Sequence, residues 1–233
     1  MVETDPAVAM PDGVELKRTE AGLALVADGM ELVQDFTEML PRLRPDRLQR
    51  ELLVRAARIK GADLSHPPTA VDATAGLGED ALLLAAAGFA VTLCERDTVI
   101  CALLRDALAR AAQVPELAPT VARMRVHEGD SVRYLEGLAA EGPARAPDVV
   151  YLDPMFPARR KSAAVKKKIQ LLHRLEAPCA DPECLLAAAR AAHPRKIVVK
   201  RPLKGPALAD VRPSHALAGK AVRFDVFVCP PLP

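Results

Sequence analysis

Apolar runs of strand length alternate with helical patterns from Asp72 to the end of the chain. This alternation is typical of a parallel sheet whose strands are joined by crossover helices. The predicted strands lie at 70–74, 90–95, 121–127, 148–152 and 196–200. The predicted helices lie at 79–87, 97–112, 131–139, 163–175 and 181–192. Residues 214–229 add a hairpin, so we predict an α/β fold with a doubly wound, mostly parallel seven-stranded sheet and one antiparallel strand.

The amino-terminal part of the chain has a different pattern. Segments 14–17, 23–27 and 31–36 predict a small antiparallel unit with a turn at Gly29, and 47–60 predicts an amphipathic helix. A chain of 233 residues suits one α/β domain with an appendage. We therefore expect a β-rich appendage over 1–45 and the main domain over 46–233.

Composition excludes several classes of protein. The net charge of +2 is almost neutral, so affinity for nucleic acid has to come from local clusters. No apolar run reaches the roughly 18 residues of a membrane span, and the amino terminus lacks a secretory pattern. The 5 cysteines form no CxxC pair and the 5 histidines are scattered, so we expect reduced thiols, no metal and a cytoplasmic protein.

The loop after the first predicted strand reads DATAGLG and contains Gly76 and Gly78. Such glycines allow a tight turn and a close approach of the backbone to a ligand. The dinucleotide pattern GxGxxG is incomplete, because Ala81 stands at its third glycine. Three acidic residues surround the loop: Asp72, Glu79 and Asp80. They would repel a pyrophosphate and suit a ligand with positive groups, such as S-adenosylmethionine (SAM).

Two further acids follow successive predicted strands. Glu95 ends the second strand, where a carboxylate accepts the ribose hydroxyls of either SAM or NAD. Asp130 and Ser131 follow the third strand, where an acid can meet an adenine amino group. Asp130 is equally well read as the cap of the helix that begins at Ser131.

The fourth strand leads into Asp153-Pro154-Met155-Phe156-Pro157. Read as Asp-Pro-x-Phe, this segment has the layout of the loop with which amino-methylating enzymes hold a flipped base. The Asp153 carboxylate and the Pro154 carbonyl would accept hydrogen bonds from the amino group, and Phe156 would stack on the ring. The alternative is a proline-rich turn that only ends the strand.

Basic residues cluster next to this segment. Residues 154–175 contain no Asp or Glu. They contain seven cationic residues: Arg159, Arg160, Lys161, Lys166, Lys167, Lys168 and Arg174. A second cluster around the fifth strand is predicted to open on the same edge of the sheet: Arg195, Lys196, Lys200, Arg201 and Lys204. We interpret these clusters, including Lys200 and Arg201, as contacts for RNA phosphates. The alternative is a solvated charged surface.

With these residues identified, the chain resembles the ribosomal RNA small subunit methyltransferase J family. The stretches that carry the resemblance are 61–91, Glu95-Arg96, 149–168, 197–209 and 219–228, and YLDPMFP followed by KSAAVKK is the most specific of them. The resemblance implies a class I SAM-dependent methyltransferase fold and methylation of guanine N2 in 16S ribosomal RNA, with the RNA or the small ribosomal subunit as partner. The SAM contacts that it implies are Glu79, Asp80, Glu95, Arg96, Asp130, Ser131 and Asp153.

Three other functions are compatible with parts of this pattern. An adenine-N6 methyltransferase uses the same loop logic as a guanine-N2 enzyme. A non-catalytic RNA-binding or assembly factor on the same scaffold need not keep Asp153 or the acidic loop. An NAD-dependent oxidoreductase fits the alternation of strands and helices. This chain, however, lacks the third glycine of the dinucleotide pattern and a residue suited to acid–base catalysis of hydride transfer.

Overall fold

The computed structural model describes residues 13–59, 66–154 and 181–230. A three-stranded antiparallel sheet comes first, formed by β1 (Val14–Thr19), β2 (Gly22–Ala27) and β3 (Met30–Val33). Asp28 and Gly29 join β2 to β3 with φ angles of 51° and 70°. Two consecutive positive φ angles are typical of the tight turn that suits a hairpin. The predicted antiparallel unit with its turn at Gly29 is confirmed.

Seven strands form the central sheet. They are β4 (Thr69–Asp72), β5 (Ala90–Glu95), β6 (Met124–Glu128), β7 (Val149–Leu152), β8 (Lys196–Pro202), β9 (His215–Ala218) and β10 (Val222–Val228). Their order across the sheet is β6-β5-β4-β7-β8-β10-β9. The first five pair in parallel, and β10 is antiparallel to both of its neighbours. The predicted seven-stranded sheet with one antiparallel strand is confirmed.

Eight α-helices are described in these three ranges. They are α1 (Leu40–Leu43), α2 (Pro45–Leu48), α3 (Leu52–Ala57), α4 (Glu79–Ala86), α5 (Thr98–Ala111), α6 (Ala118–Val121), α7 (Ser131–Glu141) and α8 (Pro182–Ala191). Short 3₁₀ turns occur at Phe36–Met39, Pro143–Arg145 and Leu208–Asp210. Asp97 caps α5 by accepting hydrogen bonds from the amides of Val99 and Ile100, and Asp181 caps α8 in the same way. In the described part of the chain, no helix is long and apolar enough to cross a membrane.

Two predicted elements differ from the structure. The strand predicted at 121–127 begins only at Met124, because Pro119 starts the short helix α6 and Val121 is buried against α4. The helix predicted at 47–60 is broken into α2 and α3, because the backbone at Glu51 is extended (ψ 126°). The helix predicted at 163–175 lies outside the described residues.

Both faces of the central sheet are covered. Along β7 the side chains alternate, so that Val149 and Tyr151 join the core below α4 while Val150 and Leu152 join the core below α7 and α8. A parallel sheet that is buried on both faces explains why its strands are continuous apolar runs and not alternating ones. The ends of these strands are therefore the places where polar residues can gather.

The amino-terminal sheet packs on α5. Val14, Leu25 and Leu32 form a small core with Val99 and Leu103 of that helix. Polar contacts reinforce the packing, since Asp106 of α5 accepts a hydrogen bond from the Leu23 amide at 3.0 Å and binds Arg18 and Arg110. Gly22 has a φ angle of 129°, which L side chains rarely adopt, and a Cβ there would lie 2.4 Å from Nε of Arg110. The division into residues 1–45 and 46–233 stays a prediction.

Candidate active site

The carboxyl ends of the parallel strands bring the predicted acids to one edge of the sheet. Asp72 ends β4, Glu95 ends β5, and Asp153 follows β7 directly. Asp130 is the second residue after β6. Ligands of open α/β sheets bind at this edge, near the point where the strand order reverses. Here β4 lies between β5 and β7, so the reversal is next to the glycine loop.

The glycine loop folds tightly between β4 and α4. Gly76 and Gly78 have φ angles of 50° and 78°, which L side chains rarely adopt. A Cβ on Gly78 would lie only 2.8 Å from Cδ1 of Leu104, so space as well as backbone conformation requires glycine there. The Ala75 amide donates to the carbonyl of Cys94 at 3.2 Å, which ties the loop to β5. The loop is therefore close-fitting on its inner side.

Glu95 braces this loop. Its Oε2 accepts a hydrogen bond from the Gly76 amide at 3.0 Å, and its Oε1 accepts one from the Asp97 amide at 2.9 Å. Burial raises the pKa of Glu95 above its usual value, and these backbone donors oppose the rise. A carboxylate has about four acceptor positions, and the Arg96 amide also donates to Glu95, so about one position remains for a ligand. Its place after β5 fits a ligand that presents two adjacent hydroxyls.

Asp130 is the N-cap of α7. Its Oδ1 accepts a hydrogen bond from the Arg133 amide at 2.9 Å, as the capping interpretation predicts. The residue is exposed, and its second carboxylate oxygen remains available to a ligand at the sheet edge. Ser131 opens the same helix and is half-buried, whereas Arg96, which follows β5, is exposed. The capping role is confirmed, and the contacts of Asp130, Ser131 and Arg96 with a ligand stay predictions.

The two acids in the first turn of α4 point to different surroundings. Glu79 is exposed. Asp80 accepts a hydrogen bond from the Tyr151 hydroxyl at 2.6 Å and another from Nζ of Lys200 at 2.8 Å. We predicted both acids as ligand contacts. Asp80 is bonded to protein side chains, and contacts of either acid with a ligand stay predictions.

Lys200 joins this helix to the end of β7. Its Nζ lies 2.8 Å from Asp80 and 2.9 Å from Oδ2 of Asp153, so one ammonium group holds two carboxylates. The Asp153 side chain keeps 37% of its exposure, and the Lys200 side chain keeps 27%. The Pro154 ring packs against the protein, because that residue is buried. Asp153 is thus fixed on one side and open to a ligand on the other.

The pKa values of Asp153 and Lys200 are both raised. Burial raises the pKa of Asp153, and the charge and hydrogen bond of Lys200 oppose that rise. Burial by itself would lower the pKa of Lys200, but Asp80 and Asp153 outweigh it, so the net change is upward. Lys200 therefore stays charged and helps to keep Asp153 ionised near neutral pH.

Asp72, the last residue of β4, is only 1% exposed. It accepts a hydrogen bond from the Thr74 amide at 3.1 Å, and the Thr74 hydroxyl oxygen accepts one from the Asp153 amide at 2.7 Å. Burial raises the pKa of Asp72 to about 8, with the carboxylates of Asp80 and Asp153 adding to the rise. Thr74 therefore connects the glycine loop to the segment after β7.

The amino-terminal part of the chain forms a wall behind the glycine loop. Nε2 of Gln34 donates to the Leu77 carbonyl at 3.1 Å, and Arg110 of α5 donates to the Gln34 carbonyl at 2.5 Å. Phe36 approaches Gly78 from the same side. The partners in these contacts, and in that of Thr74 with Asp153, lie 40 or more residues apart, so local sequence patterns do not indicate them.

The second basic cluster does not lie on one edge, which corrects our prediction. Lys196 begins β8, whereas Lys200 lies four residues along the strand, about 13 Å away at roughly 3.3 Å per residue. Arg201 is 2% exposed and donates to the Pro206 carbonyl at 2.7 Å, so it is placed in the interior and not at an RNA-binding surface. Lys200 instead contacts Asp80 and Asp153 at the carboxyl ends of the strands. The remaining predicted residues, Phe156, Arg159, Arg160, Lys161, Lys166, Lys167 and Lys168, lie outside the described residues.

The fold and the site agree with what the chain resembles in sequence. A family model for a SAM-dependent methyltransferase matches residues 8–229. A protein of Thioalkalivibrio sulfidiphilus named ribosomal RNA small subunit methyltransferase J is 47% identical over 78% of this chain and 69% of its own length. The protein of the same name from Neisseria gonorrhoeae is 40% identical over 88% of this chain and 80% of its own. For one from Pseudomonas fluorescens, the matched part is 64% of that relative's length.

A solved structure supports the same assignment. The crystal structure of a SAM-dependent methyltransferase from Neisseria gonorrhoeae superimposes with a TM-score of 0.73. It is 32% identical, and the match covers 96% of this chain and 86% of that one. The family match over nearly the whole chain, the related sequences and the shared fold lead to one conclusion: this chain belongs to the ribosomal RNA small subunit methyltransferase J family of SAM-dependent methyltransferases.

Proposed function

We propose that this protein transfers the methyl group of SAM to the exocyclic N2 amino group of a guanine in small-subunit ribosomal RNA. One observation carries the proposal at the level of the site. Lys200 binds the Asp153 carboxylate, and the backbone amide of Asp153 donates to the Thr74 hydroxyl. The Asp153 side chain nevertheless stays 37% exposed at the edge of the sheet beside the glycine loop. The relatives named above supply the class of RNA.

The residues around the glycine loop fit SAM. Glu95 has an acceptor position left for a ribose hydroxyl, and Asp130 has a carboxylate oxygen left for the adenine amino group. The acids near the loop suit the ammonium and sulfonium charges of SAM and disfavour a pyrophosphate. When bound, SAM supplies a methyl group on a positively charged sulfur.

Asp153 and Pro154 would act on the nucleophile. The guanine amino nitrogen is a poor nucleophile, because its lone pair is delocalised into the ring. Hydrogen bonds from the amino protons to the Asp153 carboxylate and the Pro154 carbonyl would favour a more pyramidal, more reactive nitrogen. The other contribution is positioning, since a group fixed before the reaction need not be ordered during it.

Lys200 would serve Asp153 and not the RNA backbone. Its ammonium orients the carboxylate and keeps it ionised, and Asp80 with Tyr151 holds that ammonium in place. We further propose that Phe156 stacks on the flipped base and that the cations between Arg159 and Lys168 bind phosphates. A cytoplasmic location belongs to the same proposal, because the substrate would be ribosomal RNA.

Calorimetry and a transfer assay test this function together. S-adenosylhomocysteine should bind with a micromolar-scale dissociation constant and NAD should not bind. Small-subunit RNA that lacks the modification should accept one labelled methyl group per molecule, recovered as N2-methylguanosine. Recovery of N6-methyladenosine would favour the adenine enzyme, and binding of RNA without any transfer would favour an assembly factor.

A further inference from the structure

A second cavity, separate from the Asp153 site, lies where β8 begins, at the opposite end of the parallel strands from Asp153. Its volume is about 700 Å³. Lys196 and Val228 are register partners at this edge, because β10 runs antiparallel to β8. Residues of α3, the starts of β8 and β9 and the end of β10 therefore surround the cavity. Lys200 lies at the other end of β8, about 13 Å along the strand.

The rim of this cavity is cationic. Arg55 lies in α3, Arg58 directly follows that helix, and both are exposed. Among the residues that the structure describes, neither arginine forms a salt bridge. Arg195, Lys196 and His215 complete the rim, with Lys196 donating to the carbonyl of Arg58 at 2.6 Å. Asp148, 3.4 Å away, partly neutralises Arg195, so Arg55 and Arg58 are the main cations of the rim.

The floor of the cavity is apolar. Ile59, Leu217, Val228 and Cys229 form it. Val228 is 54% exposed, which is unusual for a large apolar residue at the end of a buried strand. Cationic side chains around an apolar floor match a nucleotide, which has a flat apolar base next to an anionic phosphate. A cavity of this size falls in the range that holds such a group.

We propose that this cavity is a second binding site for the RNA substrate, which takes one unpaired nucleotide at a distance from the methylated base. The base would rest on Val228 and Leu217, and its phosphate would lie between Arg55 and Arg58. This inference rests on the proposed function, since it assumes that the substrate is a large RNA. The site would add affinity and would not take part in methyl transfer.

The separation of the two sites gives the inference a measurable signature. About 13 Å corresponds to roughly four stacked nucleotides at 3.4 Å each, and the path over the protein surface is longer. A guanine-containing dinucleotide is shorter than this separation, so it can reach the active site and not the second cavity. Complete small-subunit RNA can reach both. Changes in the cavity should therefore affect the long RNA alone.

The test compares the double variant Arg55→Ala/Arg58→Ala with the wild-type protein. The affinity of the double variant for small-subunit RNA should be about 10-fold lower than that of the wild type. Two lost phosphate contacts should also flatten its slope of log K against log salt by about 1.4 to 1.8. Binding of S-adenosylhomocysteine and methylation of the dinucleotide should not change. The variant Arg123→Ala/Arg125→Ala removes two exposed arginines at β6, the other edge strand, and should behave as wild type.

A pair of variants at the floor tests the same site without removing an arginine. Val228→Glu places a negative charge where the nucleotide would lie, and Val228→Gln has nearly the same size without the charge. Only the glutamate variant should bind the long RNA several-fold more weakly. Wild-type affinity and salt slope in Arg55→Ala/Arg58→Ala, or an equal loss on the dinucleotide, would overturn the inference. A wild-type protein that binds RNA but methylates neither substrate would instead count against the proposed function.

Discussion

Replacing Lys200 by methionine should shift the pH dependence of methyl transfer upward. Lys200 lies 2.9 Å from Asp153 and opposes the rise that burial causes in the pKa of that carboxyl. Without the ammonium, Asp153 would face the carboxylate of Asp80 in a partly buried place. Protonated Asp153 is a weaker acceptor for the hydrogen bond from the amino group, so the rate should fall at a higher pH than in the wild type.

The size of the shift follows from the exposure of the pair. Exposed ion pairs contribute about 0.2–1 kcal/mol, and removal of one partner from a buried pair costs about 3–5 kcal/mol. With Lys200 and Asp153 at 27% and 37% exposure, an intermediate value of roughly 1.5–3 kcal/mol is appropriate. At 1.36 kcal/mol per pKa unit, the pKa of Asp153 should rise by about one to two units.

Single-turnover rates at saturating SAM, measured from about pH 5.5 to pH 9, provide the assay. The Lys200→Met midpoint should lie one to two units above that of the wild type, and Lys200→Arg, which keeps the charge, should lie close to the wild type. Asp80→Asn is a control of opposite sign, because the negative charge of Asp80 raises the pKa of Asp153. A Lys200→Met midpoint at or below the wild-type value would refute this reasoning.

Three further changes have expected outcomes. Asp153→Ala should lower the single-turnover rate about 100- to 1,000-fold while RNA binding persists, and Asp153→Asn should stay partly active because it keeps one acceptor oxygen; a wild-type rate in the alanine variant would contradict the role given to Asp153. Glu95→Ala should weaken SAM binding by roughly 1.5–3 kcal/mol in calorimetry. Because the pKa of Asp72 is raised to about 8 in the folded protein, the folded state holds a proton that the unfolded chain releases, so the free energy of unfolding should fall as pH rises from about 4 to about 8. Denaturation of Asp72→Asn across that range should show a shallower fall, and equal slopes would mean that Asp72 titrates normally.

The fold was predictable because its signals are local. The strand Ala90–Glu95 and the helix that Asp97 caps occur where apolar runs and the capping pattern predicted them. The failures also have local causes. An apolar run that includes Val121 does not distinguish a strand from a helical turn started by Pro119. The break before Leu52 arises where Glu51 binds Arg42 through two hydrogen bonds, a contact between residues nine positions apart.

The site was predictable only in part. Acids at the ends of successive strands could be placed on one edge of the sheet, because parallel strands share that direction. The contacts of Lys200 could not be predicted, since Asp80 lies 120 residues away and meets it only through the order of the strands. The position of Arg195 and Lys196 was an avoidable error, because the length of β8 already separates them from Lys200.

Mass spectrometry of small-subunit ribosomal RNA tests the central claim most directly. RNA from a strain that lacks this gene should have lost one N2-methylguanosine relative to its parent. The wild-type gene should restore that nucleoside, and the Asp153→Ala gene should not. Identical nucleoside profiles in the two strains, or the loss of a different methylated base, would contradict the assignment.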